Sequence, residues 1–64
     1  MTKAEVKMIL NGKEIDSREF EDVFEGERFF DNYPLDENCE EVQLFEYMPD
    51  GKWEMVDIHT LLEN

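Results

Sequence analysis

The fold is decided by residues 41–58, EVQLFEYMPDGKWEMVDI. Two runs rich in apolar residues, 41–48 and 52–58, flank the turn Pro49-Asp50-Gly51. Strand-like runs separated by a short turn of this composition predict an antiparallel β-hairpin. This hairpin is the clearest element of the sequence.

The length of its loop determines the register. A three-residue loop, with Gly51 in the left-handed conformation, puts Val42 and Leu44 on the same face as Val56 and Ile58. A four-residue loop changes every pairing, so the register stays open. The three-residue loop predicts these cross-strand pairs: Tyr47 with Trp53, Phe45 with Met55, and Glu46 with Glu54.

Both faces of the hairpin carry apolar residues, yet one short helix covers only one face of a sheet. The remaining face needs another cover. The candidates are the N-terminal hairpin, the terminal Leu61-Leu62, or a second copy of the chain in a homodimer formed through the sheet.

The N-terminal residues predict a second hairpin. Residues 3–10 alternate as a strand does, and Asn11-Gly12 separates them from Lys13-Glu14-Ile15. Asn-Gly between apolar runs is a strong hairpin signal, because both residues tolerate the positive φ of a type I′ turn.

A short helix is expected near residues 17–25. Asp16 or Ser17 can cap it, and Asp16 followed by Glu19 resembles a capping box. The apolar residues that follow recur at helical spacing. Gly26 suits the position just after the last turn.

Residues 27–40 are harder to interpret. Arg28-Phe29-Phe30 fits a short strand or an extended segment, and Asn32-Tyr33-Pro34 argues against helix because the residue before proline avoids the α region. Asp36-Glu37-Asn38 has the composition of a loop. We expect a single α+β domain over 1–64, with an antiparallel sheet of about four strands and one short helix.

The composition is strongly acidic. Eighteen Asp and Glu residues face six Lys and Arg, which gives a net charge of −12, whereas about 2–8 charges of either sign are typical of a small domain. Such self-repulsion destabilises a compact state. Five Phe, two Tyr and one Trp nevertheless favour a folded domain over a disordered acidic tail.

Cys39 is the only cysteine, which favours a reducing, cytoplasmic compartment. We expect no signal peptide or membrane span, since Lys3, Glu5 and Lys7 interrupt the first ten residues. An acidic surface also repels anionic lipid and nucleic acid. We therefore expect no direct binding to membranes, DNA or RNA.

The residues offer little for catalysis. Ser17 lies at the expected helix cap, Cys39 is flanked by Asn38 and Glu40 rather than by bases, and His59 is the only histidine. There is no glycine-rich phosphate loop. We expect no enzyme and no cofactor.

A metal site is also not expected. Asp36, Asn38, Glu40 and Glu41 offer oxygen ligands of the kind that Ca²⁺ and Mg²⁺ prefer. The EF-hand pattern fails, however, because Glu41 stands where that pattern needs glycine.

The acids are concentrated in one segment. From Glu14 to Glu46 the chain has thirteen acids and only Arg18 and Arg28 as bases, a net charge of −11. Three of the four lysines lie in the first 13 residues. We expect one strongly negative side, formed by Glu19, Asp22, Glu25, Glu27, Asp31, Asp36, Glu37, Glu40 and Glu41.

The spacing of these acids suggests a nucleic-acid mimic. Acids three or four residues apart on a helix have Cβ atoms about 5–6 Å apart, and alternate strand residues lie about 6.5–7 Å apart. Phosphates advance about 3.4 Å along the axis per step, which is roughly 6–7 Å along the winding backbone of each strand, so the two sets of separations are comparable. A basic cleft would attract such a row. Phe29, Phe30 and Tyr33 are candidate anchors for a docked partner, and burial in the core is the competing interpretation of these aromatics. The competing interpretation of the acids is an ordinary solvated face.

The chain resembles a loose class of proteins, the very small acidic inhibitors encoded by phages and mobile elements. Anti-CRISPR proteins, anti-restriction proteins and uracil-DNA glycosylase inhibitors belong to it. The resemblance covers size, charge and the α/β pattern. It implies an inhibitor and says nothing about the target. Together with the charge pattern, it leads us to expect stoichiometric inhibition of a basic nucleic-acid-binding protein of a bacterial defence complex such as CRISPR–Cas, in the host cytosol if the protein is phage-encoded.

The alternative function is a non-inhibitory interaction module, such as a small regulatory subunit or an antitoxin-like partner. Its contact would be an apolar sheet face rather than the acids. Ionic strength discriminates between the two, since salt weakens charge-driven binding and hardly affects apolar docking.

Overall fold

The structure, a computed structural model, describes residues 2–61 as a four-stranded antiparallel sheet with one helix. The predicted α+β fold class is confirmed. Within residues 2–61, no helix is long and apolar enough to cross a membrane. The sheet order is β2-β1-β3-β4, and the elements in chain order are β1 Ala4–Leu10, β2 Lys13–Phe20, α1 Val23–Asn32, β3 Glu41–Tyr47 and β4 Trp53–Thr60.

The predicted N-terminal hairpin is confirmed. Asn11 and Gly12 have φ values of 55° and 76°, the positive angles that a type I′ turn requires. The β1–β2 pairing shifts between Met8 and Ile9, which leaves Ile15 as a bulge. The hairpin is longer than expected, because its second strand continues as far as Phe20.

The helix predicted near 17–25 is wrong in position. Residues 17–20 pair with β1 as part of β2, and the helix begins only after Asp22. The Asp22 side chain caps it by accepting the Phe24 N–H at 3.0 Å. Asp16 instead accepts the N–H of Ser17 within the strand. Pairing across the whole N-terminal hairpin therefore overrides the local capping signal.

The helix then runs through residues that were expected to be extended. Phe29 and Phe30 lie in its last two turns, and Gly26 lies in its middle rather than beyond its end. The helix ends at Asn32, and Tyr33 adopts an extended conformation (φ −70°, ψ 126°) before Pro34. Pro34 therefore keeps only Tyr33, the residue before it, out of the helical conformation.

The β3–β4 hairpin has the three-residue loop. The pairs Tyr47 with Trp53, Glu46 with Glu54, and Phe45 with Met55 are all confirmed. Beyond them the register shifts and leaves Val56 as a bulge, so that Leu44 faces Asp57 and Val42 faces His59. The prediction that Ile58 shares the face of Val42 and Leu44 is therefore wrong, because the extra residue at Val56 reverses the alternation of β4 beyond it.

The core lies between the helix and the two central strands. Gly26 brings the helix backbone close to β1, since a Cβ on Gly26 would lie 2.6 Å from the Cβ of Ala4. Aromatic side chains pack on either side of this contact. The buried residues are Ala4, Val6, Met8, Phe30, Cys39, Val42 and Leu44.

Gly26→Ala should destabilise the protein by about 1–3 kcal/mol, because the new methyl group overpacks the contact with β1. Helix propensity alone would favour alanine by about 1 kcal/mol. Urea unfolding of the variant measures which effect prevails. The double variant with Ala4→Gly should lose less than the sum of its single changes, since it removes the atom that the methyl group meets. A neutral or stabilising Gly26→Ala would contradict this account.

Candidate partner-binding surfaces

The sheet has one face covered by the helix and one open face. Strand alternation puts an apolar patch on the open face, formed by Phe45, Tyr47, Trp53, Met55 and Ile58. Four of these five side chains, all except Phe45, are between 37% and 48% exposed. The Tyr47 and Trp53 rings pack edge to face at 5.3 Å.

The N-terminal hairpin, one of the expected covers, does not lie on this face. The N-terminal hairpin extends the sheet at β1 instead of packing across it. Leu61 is exposed, and Leu62 lies outside the described residues. Within residues 2–61, the apolar patch is therefore uncovered.

The other half of the open face is charged. Glu5 faces Glu19 across β1 and β2, and on its other side Glu5 faces Phe45 of the apolar patch. The Nζ atom of Lys7 lies 3.6 Å from Glu14 Oε1 and 4.8 Å from the centre of the Phe45 ring. The apolar patch thus borders a pair of carboxylates.

A second group of acids lies on the helix-covered face, beside the helix. Glu46 alternates with the buried Leu44 and faces Glu54, and Asp57 faces Leu44. These three acids therefore point to the side of the sheet on which the helix lies.

The helix adds two acids at the same edge. Asp31 Oδ1 lies 3.6 Å from Nε2 of His59 in β4, and Glu27 lies one turn earlier on the same helix face. The His59 ring stacks on Phe30 with centroids 4.3 Å apart, which holds this edge of the sheet against the helix. We call the five residues the acidic flank: Glu27, Asp31, Glu46, Glu54 and Asp57.

Both arginines of the chain lie at the opposite edge of the helix. Arg18 and Arg28 line a cleft together with Phe20 and Phe29. The Arg18 guanidinium lies 5.3 Å from the centre of each of the two rings, a distance at which cation–π attraction operates. This packing keeps Arg18 away from the acidic flank.

The nine acids predicted to bind a partner fall in three places. Glu19 belongs to β2 and not to the helix expected near residues 17–25, so it does not share a helix face with Asp22 and Glu25. Of the nine, only Glu27 and Asp31 lie in the acidic flank. The placements are Asp22, Glu25, Glu27 and Asp31 on the helix and its cap; Asp36, Glu37 and Glu40 in the loop before β3; and Glu19 and Glu41 on the open face.

Sequence reasoning missed Glu46, Glu54 and Asp57 as site residues. The three-residue loop predicts the pairing of Glu46 with Glu54, and their alternation with Leu44 gives the face. Asp57 had no such signal, because only the bulge at Val56 turns it toward the helix.

The polar groups of the loop before β3 form hydrogen bonds within the loop and to the turn of the first hairpin. Asp36 Oδ1 accepts the Asn38 N–H at 2.8 Å, and the backbones of Asp36 and Cys39 exchange two hydrogen bonds. Glu40 Oε1 accepts the Asn11 N–H at 3.3 Å. Over residues 2–61, no group of three or more His, Cys, Asp or Glu side chains is arranged to hold a metal ion.

The aromatics proposed as anchors belong to the core. Phe30 is buried, and Phe29 and Tyr33 pack against the core. Burial raises the pKa of Tyr33, with a smaller contribution from negative charge nearby, so its ring stays neutral at physiological pH. The helix instead exposes Phe24, which is 69% accessible.

The two cross-strand carboxylate pairs allow a matched test of charge repulsion. Neutralising either pair, as E46Q/E54Q or E5Q/E19Q, should raise the free energy of unfolding by about 0.2–1 kcal/mol, because like charges directly opposite each other destabilise a sheet. The melting temperature of the unaltered protein should also rise with NaCl. The gain from either variant should shrink in 1 M salt, where the screening length is about 3 Å. A melting temperature that falls with salt would mean that favourable ion pairs outweigh the repulsion.

Comparison with known proteins assigns no family to this chain. No family model matches it, and no curated protein or solved structure matches it either. The resemblance to small acidic inhibitors therefore remains one of size, charge and α/β pattern.

Proposed function

We propose that the protein is a stoichiometric inhibitor that mimics nucleic acid and occupies the basic DNA- or RNA-binding surface of a bacterial defence complex, in the manner of an anti-CRISPR protein. The acidic flank is the observation that carries this proposal. Of its five carboxylates, Asp31 alone has a Lys, Arg or His side-chain nitrogen within 4 Å in residues 2–61, and that nitrogen is Nε2 of His59. The other four are available to a partner.

The separations within the acidic flank support mimicry. Directly opposed strand residues such as Glu46 and Glu54 have Cβ atoms about 4.5–5.5 Å apart. Glu27 and Asp31, four residues apart on the helix, have Cβ atoms about 5–6 Å apart. In a nucleic acid, a basic groove binds successive phosphates, which are negative charges at intervals similar to those between these carboxylates.

The energetics also support a surface made for a cationic partner. Glu46 and Glu54 repel each other in the free protein, and a lysine or arginine placed between them would relieve that repulsion. The field of the whole molecule would accelerate the encounter with a basic protein. Phe24 lies one helical turn before Glu27 and adds an exposed aromatic ring for close contact.

Competition with nucleic acid tests the proposal. Immobilised protein is incubated with a bacterial lysate that contains CRISPR–Cas and restriction complexes, and the retained complexes are then challenged with duplex DNA. We expect a basic nucleic-acid-binding complex to be retained and the duplex to displace it. Binding of this protein and of DNA to the same complex without mutual weakening would contradict mimicry.

The matched variants then locate the contact. E46Q/E54Q should slow association with the captured complex, because steering acts before contact. E5Q/E19Q removes the same charge from the other face of the sheet and should have the smaller effect. Equal association rates for E46Q/E54Q and the unaltered protein would contradict a contact through the acidic flank.

A second candidate function is favoured by the exposure of the apolar patch. In that case the protein is a non-inhibitory interaction module, such as a regulatory subunit or antitoxin-like partner, which docks through the open face. Its binding would change little between low and high salt, whereas binding through the acidic flank would weaken steeply.

A further inference from the structure

The open face joins an apolar patch to a pair of carboxylates. We propose that this face binds a basic amphipathic α-helix of a partner protein. The apolar stripe of that helix would lie on the patch, and its Lys or Arg residues would reach Glu5 and Glu19. The proposal rests on the second candidate function and names the chemistry of its partner.

The dimensions of the patch suit a helix. Tyr47 and Phe45 are alternate residues of β3 and lie about 6.5–7 Å apart, and Ile58 of β4 lies one such step further along the face. The patch is therefore about 13–14 Å long. Apolar residues at i, i+3 or i+4, and i+7 of a helix extend over about 10.5 Å at a rise of 1.5 Å per residue. Such anchors are how an amphipathic helix is recognised by an apolar surface.

The carboxylate pair gives the partner its charge. Glu5 lies beside Phe45 on the neighbouring strand and directly faces Glu19, and adjacent strands are about 4.8 Å apart. In residues 2–61, neither carboxylate has a cationic group within 4 Å. Like charges in this position destabilise the free sheet, so a cation supplied by a partner would be bound favourably.

Lys7, a cation on this face, does not neutralise the pair. Lys7 Nζ is held by Glu14 Oε1 at 3.6 Å and lies over the Phe45 ring. The Phe45 ring therefore already has a cation over it, an arrangement that aromatic rings favour. A partner lysine or arginine beside the patch would meet the same kind of environment.

Charge opposes the other occupants of the open face. A second copy stacked on this face would bring together two molecules of net charge −12 and two Glu5–Glu19 pairs. Exposed aromatics on a sheet can stack on the bases of single-stranded nucleic acid, but such sites carry a positive groove for the backbone. Here the neighbouring charges are predominantly negative.

The test uses the full chain and two synthetic helical peptides of about 18 residues, or five turns. Both peptides have the same leucine stripe, and their flanking charges are lysine in one and glutamate in the other. Amide NMR titration of the protein reports where each peptide binds. We expect the lysine peptide to shift residues of the apolar patch, and the glutamate peptide to bind at least about tenfold more weakly.

Variants separate specific docking from general attraction between opposite charges. E5Q/E19Q should weaken binding of the lysine peptide by about tenfold, whereas E46Q/E54Q, with the same loss of charge, should change it far less. Met55→Gln, at an exposed position of the patch, should weaken binding of both peptides. Equal weakening by the two charge variants, or shifts confined to the acidic flank, would overturn the proposal.

Other outcomes distinguish this proposal from the function on which it rests. If both peptides bind the patch equally, apolar docking stands and the basic helix is wrong. If neither peptide shifts the resonances of the apolar patch, both the basic-helix proposal and docking through the open face are wrong. Concentration-dependent dimerisation that Met55→Gln abolishes, or patch shifts with a single-stranded oligonucleotide in place of the lysine peptide, would overturn the basic helix in favour of that occupant.

Discussion

The close packing of helix α1 against strand β1 is the contact on which the rest of the structure depends. Because Gly26 has no side chain, the helix backbone lies directly over Ala4. Phe30, one turn further along, reaches the residues of β1 and β3 that form the core. A helix of ten residues covers these two central strands and little more. Among residues 2–61, the helix leaves its two edges and the opposite face of the sheet to solvent or to partners.

The two surfaces available for binding follow from the packing of α1 on β1 together with the β-bulge at Val56 of β4. The bulge at Val56 turns Asp57 toward the helix and Ile58 toward the open face. The first change extends the acidic flank, and the second extends the apolar patch. Without the extra residue, both side chains would lie on the opposite faces. Aromatic packing holds Arg18 at the far edge of the helix, so the two edges of the helix differ in charge.

The sequence predicts the parts of this fold that depend on local signals. The turns at Asn11-Gly12 and Pro49-Asp50-Gly51 predict both hairpins. The register of the second was left open between two loop lengths, and the structure has the three-residue loop with its first three pairs. The helix was misplaced because the capping pattern at Asp16 is satisfied equally well within a strand, and only pairing with β1 decides between them. The sheet order β2-β1-β3-β4 and the bulge at Val56 depend on contacts between distant segments. The acids were misplaced for the same reasons. Asp57 was missed because the bulge was not predicted, and Glu19 was assigned to the helix although it lies in β2.

The claim that the helix covers one face of the sheet and leaves the other open can be measured directly in the isolated protein. A neutral gadolinium chelate added to the solution enhances the relaxation of protons that solvent can approach, and its lack of charge avoids repulsion by the acidic surface. We expect strong enhancement for the methyl groups of Met55 and Ile58 on the open face, and little for those of Val42 and Leu44 under the helix. Equal protection of both pairs would contradict the account, because the open face would then be covered in the free protein.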